Sequence, residues 1–251
     1  MYSDDVNEFS KVHHYLSVDY PNFGGSSAKN IRRWLVDEIE GSIYREHSSN
    51  SYAGSDKDYD AIANYSAEKY FTEVKGNYAD FEMGPSGYFL IHEMRVALYN
   101  DRFVTYQYYM TLNALGMHPN YIREFYSYDH VHDRVINARY LFEDSTINNV
   151  KELLIRAAYE SGEFEYESYA EVKKRFIPSR YGEGRSDYVA TDPINEMQLP
   201  VPSLLDGKVM FYYPPYSLKA PFVQGDFYFS IPITELAPYM TKLGRWCTGL
   251  E

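Results

Sequence analysis

The chain has 251 residues, 45% hydrophobic and 24% charged, which is an ordinary composition for a globular protein. Its formal net charge of −12 argues against nucleic acid and against an anionic membrane surface as partners, because both attract lysine and arginine. A field of this sign would steer in a basic partner, although acidity also keeps proteins in solution. The single cysteine, Cys247, leaves no intrachain disulfide and no multi-cysteine metal site.

Neither a signal peptide nor an apolar run of transmembrane length is visible in the sequence. We therefore expect no membrane span in this chain, and a removed leader would be consistent with its polar first residues. The unusual feature is the presence of 28 tyrosines. Tyrosine suits half-buried sheet surfaces, so a β-rich protein with a hydrated sheet face is one interpretation. A platform of exposed rings for sugars or for a partner protein is the other.

The N-terminal half contains a strand, two helices and a hairpin. Residues 11–20 alternate as a strand does, and a helix begins at Ser26 or Ser27, either of which could cap it. A weaker helical pattern covers residues 59–75. Two alternating segments, 90–98 and 103–112, flank a plausible tight turn at Asn100 and Asp101, which predicts a β-hairpin. The first of these segments is expected to bury Leu90, Met94, Val96 and Leu98 on one face.

The C-terminal half mixes helices with short strands. Strands are predicted over 121–128, 208–213 and 226–231, and helices over 146–161 and 169–176, with a helical turn from Thr234. The longer helix is expected to face inward with Ile147, Val150, Leu153, Leu154 and Ala157. Residues 178–203 carry no periodicity. Helices segregated from antiparallel hairpins predict an α+β fold with helices packed on one face of the sheets and two lobes, 1–115 and 116–251.

Two segments contain residue types that can ligate a metal ion. Asp56, Asp58 and Asp60 begin like a calcium loop, but the glycine and glutamate that the loop requires are replaced by Ala61 and Ala67. His130 and His132 would share a face if extended, and His118 is the obvious third ligand for zinc. Nothing in the spacing ties His118 to the pair, so turn histidines are favoured. We expect no metal and no cofactor.

Motifs for catalysis are absent from the sequence. There is no nucleophile elbow, phosphate loop or dinucleotide fingerprint. Paired carboxylates for glycoside hydrolysis remain open, because their partners are distant in sequence. Whether the protein is an enzyme stays uncertain, and a non-enzyme is favoured.

The C-terminal part resembles the RsiV-like extracytoplasmic domains of unknown function, named for an anti-sigma factor whose outer domain senses lysozyme. The resemblance rests on residues 205–213, Pro215 with Tyr216, residues 220–222, Gly225, Ile231 with Pro232, and Glu235 with Leu236. The chain departs from the family pattern by one extra residue between Tyr216 and Gly225 and by Phe222 in place of tyrosine. A second, partial match keeps only Gly116 and His118 of a Gly-Gly-Ala-His turn. The N-terminal part resembles the companion domain that is also found near peptidoglycan deacetylases.

The resemblance implies an extracytoplasmic recognition module, secreted, periplasmic or lipid-anchored, that binds a cell-wall glycan or a protein partner such as a basic lysozyme-like protein. The residues expected on a binding rim are Tyr213, Tyr216, Phe222 and His118. Packing between sheet strands is the competing role for the tyrosines. The alternative functions are an envelope glycan hydrolase or accessory that uses carboxylates, and a structural periplasmic protein without a small ligand.

Overall fold

The computed structural model describes residues 2–7, 10–38, 88–113, 120–176, 193–220 and 225–250, together with helical positions 61, 64, 65, 68 and 72. The strands are β1 (Tyr2–Asn7), β2 (Ser10–Val18), β3 (Tyr88–Tyr99), β4 (Phe103–Asn113), β5 (Asn120–Asp129), β6 (Arg134–Val135), β7 (Pro202–Leu205), β8 (Lys208–Tyr213) and β9 (Phe227–Pro232). The helices are α1 (Ser26–Glu38), α2 (Ala138–Leu141), α3 (Ile147–Glu160), α4 (Tyr169–Arg175), α5 (Pro193–Glu196), α6 (Ile233–Leu236) and α7 (Lys242–Thr248). Short 3₁₀ turns cover Asp144–Thr146, Ser217–Lys219 and Ala237–Tyr239.

Two sheets organise these elements, and the predicted α+β class is confirmed. The larger sheet runs β1-β2-β3-β4-β5-β6 among the described residues, and the smaller runs β7-β8-β9. Neighbours in the smaller sheet are antiparallel, whereas β2 and β3 form a parallel pair within the larger one. No helix in the described part of the chain is long and apolar enough to cross a bilayer.

The chain divides into two compact units. The first comprises residues 1–124 and 128–134, and the second comprises residues 125–127 and 135–251. The chain therefore passes between the units along β5 and again at β6. The expected division into two lobes, 1–115 and 116–251, stays a prediction.

The core of the first unit is built on the predicted hairpin. Trp34 of α1 stacks on Tyr128, with ring centroids 5.0 Å apart, and meets the edge of Tyr106. Leu90 and Met94 are buried as expected, but Val96 is 43% exposed. Val96 still pairs in register with Tyr106, so its exposure arises before the bulge. The pairing of β3 with β4 then shifts by one residue between Val96 and Leu98, which breaks the alternation predicted as far as residue 98.

The core of the second unit lies between the small sheet and the helices α3 and α4. Phe227, Phe229 and Ile231 of β9 are buried, and Phe164 stacks on Phe227. Ser168 begins α4 with a capping box, in which its side chain and that of Glu171 each accept a hydrogen bond from the other residue's backbone N–H. The second unit also contains α7, a helix that the sequence pattern did not indicate.

Candidate functional site

A cleft of about 280 Å³ lies between the helix α3 and the strand β9, which ends the small sheet in the described part of the second unit. Its lining residues are Leu153, Arg156, Ala157, Glu160 and Ser161 from the helix side, residues 228–232 from the strand, and Glu235 from α6. The cleft combines apolar side chains, two carboxylates and one guanidinium. Because it is concave and brings charged and apolar groups together, we take it as the candidate site.

The helical wall of the cleft follows from how α3 divides its surface. Val150, Leu154 and Ala158 are buried against the core. Leu153, Arg156, Ala157 and Glu160 recur at intervals of three, one and three residues, which places them on a neighbouring face of the same helix. Two of the five positions expected to face the core, Leu153 and Ala157, therefore line the cleft instead. Lys151, which is not one of those five positions, is buried. The Lys151 ammonium donates to the Ile194 carbonyl at 3.0 Å, which compensates that burial.

The strand side of the cleft comes from β9. Its residues alternate between buried and half-buried, with Phe229 and Ile231 in the core and Tyr228 and Ser230 on the opposite face. The Tyr228 ring lies 5.1 Å from that of Tyr212, and its hydroxyl donates to Asp226. At the end of the strand, Pro232 leads directly into α6, which carries Glu235.

Of the four residues expected on a binding rim, Tyr213 and Tyr216 are described, and neither lines this cleft. Tyr213 packs edge-on against Phe176, with ring centroids 5.4 Å apart, and also contacts Phe229. Its hydroxyl is buried with no hydrogen-bond partner among the described residues, and burial raises the pKa of this phenol. The geometry of Tyr213 is that of a packing residue.

Tyr216 is different, because its side chain is 59% exposed. Its backbone adopts the left-handed region, with φ of 68°, before the 3₁₀ turn. Phe222 and His118 lie outside the described residues, so the grouping of the four residues on one rim stays a prediction. Of the two described rim residues, Tyr216 is the one whose ring is exposed enough to stack on a ligand, and it does not line the cleft.

The histidine pair sits in a hydrogen-bonded turn of the first unit. Asp129 is fully buried and accepts bonds from the backbone N–H of Val131 and His132 and from the His132 ring at 2.7 Å. The His130 ring stacks on Tyr99. The ring nitrogen Nε2 of His130 lies 2.9 Å from a backbone carbonyl, that of Asn100, so it is the protonated nitrogen of the ring. Among the described residues, no group of three histidine, cysteine or acidic side chains could hold a metal ion.

The cleft residues were missed because their signals are ordinary. A second helical face containing Leu153, Arg156, Ala157 and Glu160 resembles any solvated helix face, and only its position beside a strand gives it a role. Ser230 is the one polar residue within the aromatic strand 227–231, and that interruption is the signal that sequence reasoning could have used.

Comparison with solved structures places the fold. The chain is similar to a protein of the DUF3298 family from Bacteroides fragilis NCTC 9343, with a TM-score of 0.63 and 14% identity, over 95% of this chain and 87% of that one. It is also similar to a DUF3298 family protein from Pseudomonas aeruginosa PAO1, with a TM-score of 0.57 and 17% identity, over 94% and 88% of the two chains. The neighbours share this fold. No family model and no curated protein matches the chain.

Proposed function

We propose that this protein is a non-catalytic recognition module of the bacterial cell envelope, that it is RsiV-like in role, and that it binds a basic protein partner at the cleft between α3 and β9. The observation that carries the proposal is the cleft itself, which is open and carries two exposed carboxylates, Glu160 and Glu235. A net charge of −12 supports a basic partner, because the field of the whole chain speeds encounter with a cation.

A protein partner is favoured over a small ligand because the cleft is open to solvent. Small-molecule sites usually enclose roughly 300–1,000 Å³ and bury most of the ligand. The cleft of about 280 Å³ is at the lower limit of that range, and its carboxylates Glu160 and Glu235 are exposed, so a small ligand held there would keep much of its surface in water. A glycan would be expected to stack on coplanar exposed rings, and Tyr213, one of the expected platform residues, is committed to packing.

Catalysis by the two cleft carboxylates is less well supported. A glycosidase of the usual kind needs one carboxylic acid in an apolar setting and a second carboxylate across the bond to be cleaved. Glu160 and Glu235 line the same cleft, but both side chains are exposed to solvent. Neither side chain has the buried setting that a general acid of this kind requires.

The proposal predicts that reversing the charge at the cleft weakens capture of a basic partner. The immobilised chain is mixed with a lysozyme and, separately, with peptidoglycan fragments, at 50 mM and 300 mM salt. We expect lysozyme capture that falls with salt, and a further loss of about three- to tenfold for Glu160→Lys, because a favourable charge at the site becomes repulsive.

The matched control is Glu163→Lys, because Glu163 is an exposed glutamate three residues away that does not line the cleft. Equal losses for the two variants would show that only net charge matters and would remove the cleft from the proposal. Capture of peptidoglycan with no capture of lysozyme would transfer the function to glycan binding. Capture of neither would leave the proposal without a ligand.

A further inference from the structure

The strand β9 is an edge strand whose outer side faces the cleft. In the described part of the chain it pairs only with β8, with Phe211 opposite Phe229 and Val209 opposite Ile231. An edge strand has main-chain N–H and C=O groups that point away from its sheet and can pair with another chain. Which residues of β9 carry those groups is fixed by the pattern of hydrogen bonds.

One hydrogen bond next to the turn between β7 and β8 fixes the hydrogen-bonding pattern between β8 and β9. The Ile233 N–H donates to the Gly207 carbonyl at 3.0 Å, so these two residues form a hydrogen-bonded pair. In an antiparallel ladder such pairs alternate with pairs that exchange no hydrogen bonds. Ile231 and Phe229 therefore direct their main-chain groups toward β8, and Ser230 directs its own groups away from β8.

The opposite edge of the sheet provides an independent check. The turn at Asp206 and Gly207 has two residues with positive φ, 49° and 73°, as a two-residue hairpin requires. This turn fixes the pairing of β7 with β8 so that the Leu204 N–H points away from β8. That N–H donates to the buried Ser127 hydroxyl at 2.8 Å. The edge at β7 is thus closed by a side chain. At the other edge, no hydrogen bond of the outward Ser230 groups is formed within the described residues.

We propose that the outer edge of β9 binds an extended, basic segment of a partner protein, which adds to the small sheet as a fourth strand. This inference rests on the proposed function and names the mode of binding at the same cleft. Ser230 would exchange main-chain hydrogen bonds with the segment, and α3 forms the facing wall. Main-chain pairing supplies affinity in this mode, and side-chain pockets supply specificity.

The charges of the cleft select the segment. Glu160 and Glu235 outnumber Arg156 along the lining, so a lysine or arginine in the segment gains a partner while an acidic residue is repelled. A second copy of this chain is disfavoured as the occupant, because each copy carries a net charge of −12. Pro232 has no N–H to donate, which limits pairing to the part of β9 before it.

The test uses a display library of random nine-residue peptides, selected against the full chain. We expect enriched peptides with at least one basic residue whose affinity falls about tenfold or more for Ser230→Pro, which removes the outward N–H without breaking a bond to β8. Ser230→Ala keeps that N–H and is expected to bind as the wild type does. Methylation of the backbone nitrogens at alternate peptide positions should reproduce the loss, and this measurement does not depend on how the proline variant folds.

Amide exchange gives a direct readout at the residue concerned. Bound peptide should slow exchange of the Ser230 amide, whereas the Phe229 amide is already protected by its bond to β8. No enriched peptide, or peptides that tolerate both Ser230→Pro and methylation, would overturn the inference. Concentration-dependent dimers that Ser230→Pro abolishes would assign the edge to a second copy and also overturn it.

The outcomes separate this inference from the function on which it rests. Undiminished lysozyme capture by Ser230→Pro would show that the partner binds by another mode, and the recognition function would stand. Failure of both lysozyme and every peptide to bind would contradict the function as well as the mode.

Discussion

At the scale of single residues, Gly244 shows how a contact fixes the choice of amino acid. Gly244 lies in α7, and a Cβ added there would stand 2.5 Å from the Leu141 carbonyl oxygen and 3.1 Å from the Leu141 Cα. A hydrogen bond keeps α7 this close to Leu141, because the Thr241 N–H donates to the Leu141 carbonyl at 2.9 Å. The atoms nearest to an added Cβ are backbone atoms of Leu141, which cannot move aside as the end of a flexible side chain could.

We expect Gly244→Ala to lower the free energy of unfolding by about 1–3 kcal/mol, as overpacking of a tight contact does. Alanine would otherwise stabilise a helix by up to about 1 kcal/mol over glycine, so the sign of the change is diagnostic. Urea unfolding followed by circular dichroism measures it. Gly24→Ala is the control, because an added Cβ there meets nothing within 4 Å. A stabilised Gly244→Ala would contradict the contact.

A second residue-scale feature is the ion pair of Glu167 and Arg175. The Arg175 Nε lies 2.7 Å from the carboxylate, and its Nη1 donates to the Leu218 carbonyl at 2.9 Å. The guanidinium also stands over the Phe164 ring, 4.9 Å from its centroid. Hydrogen bonding from Arg175 lowers the pKa of Glu167 despite the opposing effect of burial.

A lowered carboxyl pKa in the folded state contributes stability above the unfolded value, about 4.3, and that contribution is lost as the pH falls through the folded pKa. We expect Glu167→Gln to cost about 1–2 kcal/mol at pH 7 and clearly less at pH 3. Urea midpoints at the two pH values measure the difference, and Glu163→Gln serves as the exposed control. A cost that is the same at both pH values would show that the charge of Glu167 contributes nothing.

At the scale of secondary structure, prediction from the sequence worked where a pattern was local. The strands β3, β4, β8 and β9 were predicted because alternating residues and turn residues lie next to each other in the chain. The helix α3 was also predicted, but its buried face was misplaced. Lys151 is buried because it donates to Ile194, a partner 43 positions away that spacing along the helix cannot reveal.

The elements that were missed depend on distant contacts. The helix α7 has seven residues and few apolar positions, and it is held by the contact of Gly244 with Leu141 and by the Thr241 hydroxyl, which donates to Tyr140. The strand β7 lies in a stretch without periodicity and begins at Pro202. The candidate cleft could not be predicted from local sequence for the same reason, because it forms where α3 and β9, which are distant in sequence, lie side by side.

At the scale of the molecule, the strand β5 belongs to both compact units. Residues 120–124 and 128–129 fall in the first unit, and residues 125–127 fall in the second. If one unit unfolds, its residues of β5 lose their contacts, and the adjoining residues of the same strand in the other unit are then less well held in an extended conformation. We therefore expect the two units to unfold together, even though each has its own buried aromatic residues.

The two tryptophans can test this expectation. Trp34 is buried in the first unit and Trp246 lies in α7 of the second, so Trp246→Phe and Trp34→Phe each leave one reporter. Within each variant we expect the midpoint of thermal unfolding by tryptophan fluorescence to coincide with that by far-ultraviolet circular dichroism. Midpoints that differ by more than a few degrees within one variant would show that the units melt separately.

The outer edge of β9 also has a consequence for colloidal behaviour. Residues 227–231 form an aromatic, β-prone segment that ends an antiparallel sheet, which is the kind of sequence that joins aggregates when it is exposed. Pro232 interrupts the row of donors, and Glu160 and Glu235 place negative charge along the approach. In the described part of the chain, these three residues oppose pairing between copies without covering the Ser230 backbone groups, so the features that would suit the edge to the proposed partner would also protect it from self-association.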